Sequence, residues 1–263
     1  MGFLSPKEIV DAVVEVGEKK ASLNLMQLLL LGILAGVYIG FGAELYTMVS
    51  HDLSKYLGVG FSKFLGGSVF SVGLMLVVIG GAELFTGNTL MFTGLLSKKI
   101  NTKGLLRNWS IVYIANFIGS LLLVVIMYYT GLWKTNEYSV GVTAVKIAAA
   151  KTSLSPVEAF FRGIGCNWLV CLAVWLAFAG RDIASKILGI YFPIMAFVAS
   201  GFEHCVANMY FIPMGILLKE SITPYYIGSL DGLTWSSFIL NNLIPVTMGN
   251  IIGGAIFVGG IYY

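Results

Sequence analysis

Charge is what this 263-residue sequence has least of: Asp, Glu, Lys and Arg make up 11% of it, against about 25% in an ordinary soluble domain. So small a supply cannot keep a water-facing surface wetted, which excludes the ordinary soluble classes. The net charge of +3 is scattered without a basic block, and this argues against a nucleic-acid partner. Histidine occurs twice, and the three cysteines, Cys166, Cys171 and Cys205, all fall inside apolar runs without metal-ligand spacing. They read as small buried hydrophobes, with no disulfide, redox role or metal site. No Gly-x4-Gly-Lys-Ser/Thr run is present, so no nucleotide-driven step is encoded. No Gly-x-Ser-x-Gly motif occurs either, and no cofactor or enzyme chemistry is expected. The first twenty residues lack the apolar core of a secretory signal, being interrupted by Glu8, Asp11, Glu15 and Glu18.

Apolar residues are what the chain does have, at 57% of the total with a mean hydropathy of +0.87. Six segments approach or exceed the roughly 20 residues a helix needs to cross a bilayer: 23–45, 66–95, 108–130, 159–179, 187–218 and 238–262. Ahead of them, Ser5, Pro6 and Glu8 form a helix start, and Ile9, Val10, Val13 and Val14 share one face. Residues 1–22 are therefore expected as an amphipathic helix along the membrane surface. Gly32, Gly36 and Gly40, and Gly249 and Gly253, recur every four residues, as close helix packing requires. Trp109, Tyr128, Tyr129, Trp133 and Tyr262-Tyr263 sit near span ends, as interface anchors do.

The second and fifth segments are too long for one straight span, and each contains a polar interruption. These are Gly81-Ala82-Glu83-Leu84-Phe85-Thr86-Gly87-Asn88 and Gly201-Phe202-Glu203-His204-Cys205-Val206-Ala207-Asn208, 120 residues apart with Gly-x-Glu and Asn in register. Irregular backbone at that depth must line a cavity or be covered by protein, so both read as broken helices. Lys20-Ala21-Ser22-Leu23 likewise matches Lys151-Thr152-Ser153-Leu154, and Asn108 and Asn116 match Asn242 and Asn250. The chain is thus expected to be one all-α, six-span domain with a first repeat at 23–130 and a second at 146–262. Three spans per repeat is an odd number, so the repeats enter the membrane from opposite sides and their shared site lies near the midplane.

Ionisable groups inside the membrane are functional candidates by default. His204 is either a pore-lining imidazole or a structural one bonded to backbone freed by the break. Glu83 and Glu203 either satisfy freed N–H groups and pair with Lys20 and Lys151, or contact substrate. Asn88 and Asn208 are expected to cap the restarted half-helices. Half-helix N-termini meeting at one place can attract an anion without a full charge that would trap it, and apolar constrictions beside them would favour small, weakly hydrated solutes.

These motifs, with Asn242-Leu243-Ile244-Pro245-Val246-Thr247-Met248-Gly249-Asn250, resemble the formate/nitrite transporter family over nearly the whole chain. The resemblance implies an aquaporin-like fold, a homopentamer with a pore in each protomer, and permeation of formate, nitrite, hydrosulfide or a similar small monovalent anion or its acid, with protons as possible companions. Formate ranks first because the segments around Ile212-Pro213-Met214-Gly215-Ile216 and 243–254 look most like formate members. Carried over by position, His204 becomes the central histidine and Thr86 its partner, with Asn167 and Asn250 near the pore centre. Phe70, Leu74, Leu84, Phe85 and Phe197 become apolar constrictions, and Lys151 a vestibule lysine beside Glu203. Cys205 departs from the family, where serine is frequent.

Two rival readings remain. An aquaporin-type channel for neutral solutes shares the inverted repeat, but Asn-Pro-Ala is missing and no arginine lies near either break. An intramembrane enzyme with His204 as base would be helped only by Glu203 or Cys205. Orientation rests on nine of the 16 Lys and Arg lying on the side of the N-terminus, four of them in residues 96–107 without an acid. That places both termini in the cytoplasm and the chain in the inner membrane. Desolvation disfavours an imidazolium, so His204 is expected to rest neutral, as a hydrogen-bond donor or transient proton source.

Overall fold

The computed structural model describes residues 2–263, which are almost wholly helical; their one strand-like pairing is an isolated bridge between Phe3 and Gly180. Helix α1, Pro6–Ser22, starts in a capping box: Ser5 Oγ accepts the Glu8 N–H while the Glu8 carboxylate accepts the Ser5 N–H at 2.6 Å. Such reciprocal pairing satisfies two donors that a helix start otherwise orphans. Ile9 and Val13 on its buried face join a cluster with Cys171 and Trp175.

Among the described residues, six helices are long and apolar enough to cross a membrane: Leu25–Ser50 (α2), Leu53–Gly80, Thr102–Thr130, Pro156–Ala179, Ile183–Ser200 and Trp235–Gly260. The second is divided into α3, Leu53–Phe70, and α4, Val72–Gly80, followed by the short α5, Phe85–Asn88, and α6, Met91–Leu96. It begins 13 residues before the expected start at 66, because Lys55 and Lys63 dilute the apolar signal of its first turns without stopping the helix. Thr102–Thr130 is α7. An element absent from the six expected segments, α8 (Ser139–Thr152), buries Val140, Ala144, Val145 and Ala148; at 14 residues it is too short to span. Pro156–Ala179 is α9. The fifth segment splits as expected into α10, Ile183–Ser200, and α11, Cys205–Ile222. The last span contains two wide, i to i+5 stretches at Phe238–Leu243 and Ile252–Gly260.

The regular glycines fit helix packing. A methyl at Gly36 would strike the Asn116 carbonyl of α7, and one at Gly249 would strike the Phe160 carbonyl of α9. The α2/α7 and α9/last-span seams thus repeat the same backbone-to-backbone approach, one in each half of the molecule.

Candidate functional site

Each break begins at a glycine in a conformation with positive φ, Gly81 at 86° and Gly201 at 78°, which a side chain at those positions would strain. Three residues later the chain is extended, at Leu84 and His204, and the helix restarts at Phe85 and Cys205. Backbone groups freed there need partners, and side chains from other helices supply them. The Phe85 N–H is accepted by Asn116 Oδ1 and the Cys205 N–H by Asn250 Oδ1, each at 2.9 Å. Asn116 Nδ2 then donates to the carbonyls of Gly32 and Glu83, as Asn250 Nδ2 does to those of Gly163 and Glu203. Asn250, the residue matched to a polar pore position, therefore spends its side-chain groups on backbone.

The acids are held in the same doubled fashion. Glu83 accepts from Lys20 at 2.6 Å and from Asn88 at 2.7 Å. Glu203 accepts from Lys151 at 2.8 Å, from Asn208 at 2.7 Å and from Asn242 at 3.1 Å. Asn88 and Asn208 are thus braces for the glutamates, bonded onward to Asn108 and Asn242, and do not cap the half-helices as expected. One turn into each restarted helix, they lie too far along to reach its first N–H groups. The capping falls to Asn116 and Asn250, and at α11 also to His204, whose Nδ1 accepts the Ala207 N–H at 3.1 Å.

That bond fixes the tautomer of a neutral ring: with Nδ1 accepting, the proton sits on Nε2. Nε2 lies 2.9 Å from Thr86 Oγ1, so the imidazole donates to the threonine hydroxyl and joins the two breaks at one polar contact. The Thr86 hydroxyl hydrogen is left free to donate. Asn167 stands behind this pair, its Nδ2 on the carbonyls of Thr86 (3.2 Å) and Asn250 (2.7 Å), with Oδ1 buried and unpartnered among the described residues.

A cavity adjoins each break. One of about 480 Å³ lies against the first and is walled by Lys20, Glu83, Leu74 and Leu84 together with part of α1. The other, of about 100 Å³, lies against the second and is walled by Lys151, Glu203, His204, Phe70, Phe197 and Phe211. Phe70 meets Phe197 edge to face at 5.8 Å and Phe211 face to face at 6.5 Å. Lys151 Nζ stands 5.3 Å from the centre of the Phe211 ring. Phe85 differs from the other constriction candidates: its ring packs on Tyr113 (4.9 Å) and Trp109 (6.2 Å) of α7 and lines neither cavity.

Sequence reasoning passed over Phe211 and used Asn116, Asn108 and Asn242 only as markers of the repeat. A signal for Phe211 was available, since His204, Ala207, Asn208 and Phe211 follow the i, i+3, i+4, i+7 spacing of one helical face.

Residues 7–263, including both breaks and all of the braces, match a family model described as formate/nitrite transporter. The chain belongs to the formate/nitrite transporter family. Among similar members is a probable formate transporter of Methanothermobacter thermautotrophicus, 45% identical over 99% of this chain and 96% of that protein. The formate channel FocA of Haemophilus influenzae is 39% identical over 97% of this chain and 92% of its own length. A solved structure described as a pentameric formate channel with formate bound superposes with a TM-score of 0.82 at 41% identity, covering 90% of this chain and 96% of that one. This formate/nitrite transporter family member is accordingly a multi-pass membrane protein with the transporter fold, a transporter and not an enzyme.

Proposed function

We propose that the protein is a channel for small monovalent anions or their conjugate acids, with formate its favoured substrate, assembled as a homopentamer with a separate path through each protomer. The observation that carries this reading is the His204–Thr86 contact at 2.9 Å, one neutral donor pair set between apolar walls. A donor pair without net charge holds a carboxylate weakly enough to release it. The pairing of both glutamates with lysine and asparagine further supports an anion path, because it removes two carboxylates that would repel the solute. Leu74 and Leu84 on one side, and Phe70 and Phe197 on the other, act as filters by size and hydration. The named formate channels among the relatives support the substrate choice, and the pentameric one supports the assembly.

Water stripped from a carboxylate raises its proton affinity, and an apolar constriction passes the neutral acid more readily than the anion. Nδ1 of His204 is occupied by the Ala207 N–H, so the ring has no second face through which to be reprotonated. The geometry thus favours His204 as donor through Thr86, with formate acquiring its proton in the vestibule. The whole chain acts as one transport unit, repeats 23–130 and 146–262 each contributing one break. It resides in the inner membrane with both termini in the cytoplasm.

Competitive flux of formate, nitrite and hydrosulfide into proteoliposomes tests the assignment. Formate should be carried fastest and should inhibit the other two; faster hydrosulfide or nitrite flux that formate does not inhibit would move the substrate to that anion.

A further inference from the structure

The two cavities differ in charge. The smaller one has a single cation, Lys151, matched by Glu203. The larger has three, Lys19, Lys20 and Lys186, and one carboxylate, Glu83. Lys20 is committed to Glu83 and Asn88. Lys19 is held by Glu15 of its own helix at 2.7 Å. Lys186, near the start of α10, is half-buried yet makes no ion pair among the described residues. The carboxylate one turn before it, Asp182, is engaged with the N–H (2.9 Å) and hydroxyl (2.7 Å) of Ser185 as the helix cap. Apart from those lysines and Glu83, the wall is mostly apolar, including Leu31, Val78, Val174, Ala177 and Phe178.

We infer that Lys186 is the anion-capture residue of the larger vestibule, and that it makes the path asymmetric: anions are concentrated on the α1 side and not on the other. An unmatched cation on a low-dielectric wall focuses its field into the cavity and raises the local anion concentration, an effect that salt weakens. The lysine stem can lie along the apolar wall while the ammonium meets the solute. Lys186 has no share in the His204–Thr86 contact, so its role is recruitment and not passage through the constriction. This inference rests on the anion-channel reading above.

The test is formate flux through purified assemblies in proteoliposomes of uniform orientation, verified by protection of a terminal tag, with formate supplied from each side in turn. Lys186→Gln should raise the half-saturating concentration about threefold to tenfold from the α1 side alone, an effect scaled to a single charge. Flux at saturation should hold, Lys186→Arg should behave as wild type, and the difference should shrink on going from low salt to about 1 M. An unchanged half-saturating concentration in a folded Lys186→Gln pentamer, or an equal shift from both sides, would overturn the inference. Wild-type vesicles that fail to carry formate at all would instead overturn the reading beneath it.

Discussion

Glu203→Gln removes a charge and almost no volume from the second break, so its cost can be worked out contact by contact. In the wild type, Lys151 donates to Oε1 at 2.8 Å, while Asn208 and Asn242 donate to Oε2 at 2.7 and 3.1 Å. A glutamine amide offers one oxygen and one NH2 group. Facing one way, its N–H donors meet the ammonium; facing the other, they meet two amide donors. In both cases Lys151 loses its carboxylate, and stranding one member of a buried pair costs roughly 3 to 5 kcal/mol. Glu83→Gln should be milder, because Lys20 keeps Asn88 Oδ1 at 2.9 Å and its side chain is 23% exposed against 15% for Lys151. That retained charge-assisted hydrogen bond is worth about 1.5 to 3 kcal/mol. At about 2 to 4 °C per kcal/mol for a chain of this size, Glu203→Gln should melt roughly 6 to 20 °C below wild type, and Glu83→Gln several degrees less. Thermal melts of the purified assembly, followed by tryptophan fluorescence and paired with formate flux, supply the measurement. A reversed order of the two variants, or a Glu203→Gln melt within about 2 °C of wild type, would refute the reasoning.

Three further outcomes follow from the same geometry. Asn250→Ala strands the Cys205 N–H and the Glu203 carbonyl, so it should cost at least about 2 kcal/mol in a denaturation series and abolish flux, with Asn116→Ala close behind. Phe197→Ala should admit lactate and lower the formate-to-lactate flux ratio. Phe85→Ala, whose ring packs against α7, should destabilise the fold by about 3 to 5 kcal/mol and leave that ratio as it was. Formate flux should rise as external pH falls, since the share of neutral acid grows. His204→Asn, which keeps an N–H donor, should retain that rise with acid, and His204→Phe should block the path. Recording formate uptake and membrane current together checks this, and one net negative charge per formate at every pH in wild type would rule out proton accompaniment.

The spans and the two breaks were legible because both signals are local. Hydropathy over about 20 residues marks a crossing, and Gly81 and Gly201 sit where the helix must turn out of its path. Helix α8 escaped notice because the length criterion that finds spans discards a 14-residue helix. The pairing of Glu83 with Lys20 and of Glu203 with Lys151 was suggested by matched positions in the repeat and agrees with the contacts found. The capping was misread for the opposite reason. Asn88 and Asn208 are near the half-helices in sequence, whereas the asparagines that cap them arrive from 31 and 45 residues away. Phe85 and Phe197 look alike as letters, and only the neighbouring Tyr113 and Trp109 separate their surroundings.

The asparagine struts also bear on where the path can move. At each break, the first N–H and the carbonyl two residues before it are tied to an asparagine on a helix that touches a neighbour backbone to backbone, Asn116 on α7 and Asn250 on the last span. Moving either half-helix would shear several buried hydrogen bonds together, so the centre behaves as a fixed throat. Helix α1 is drawn into the same throat: Lys20 holds Glu83 and Asn88, and its carbonyl accepts from Asn108, so lifting α1 would strand a buried acid.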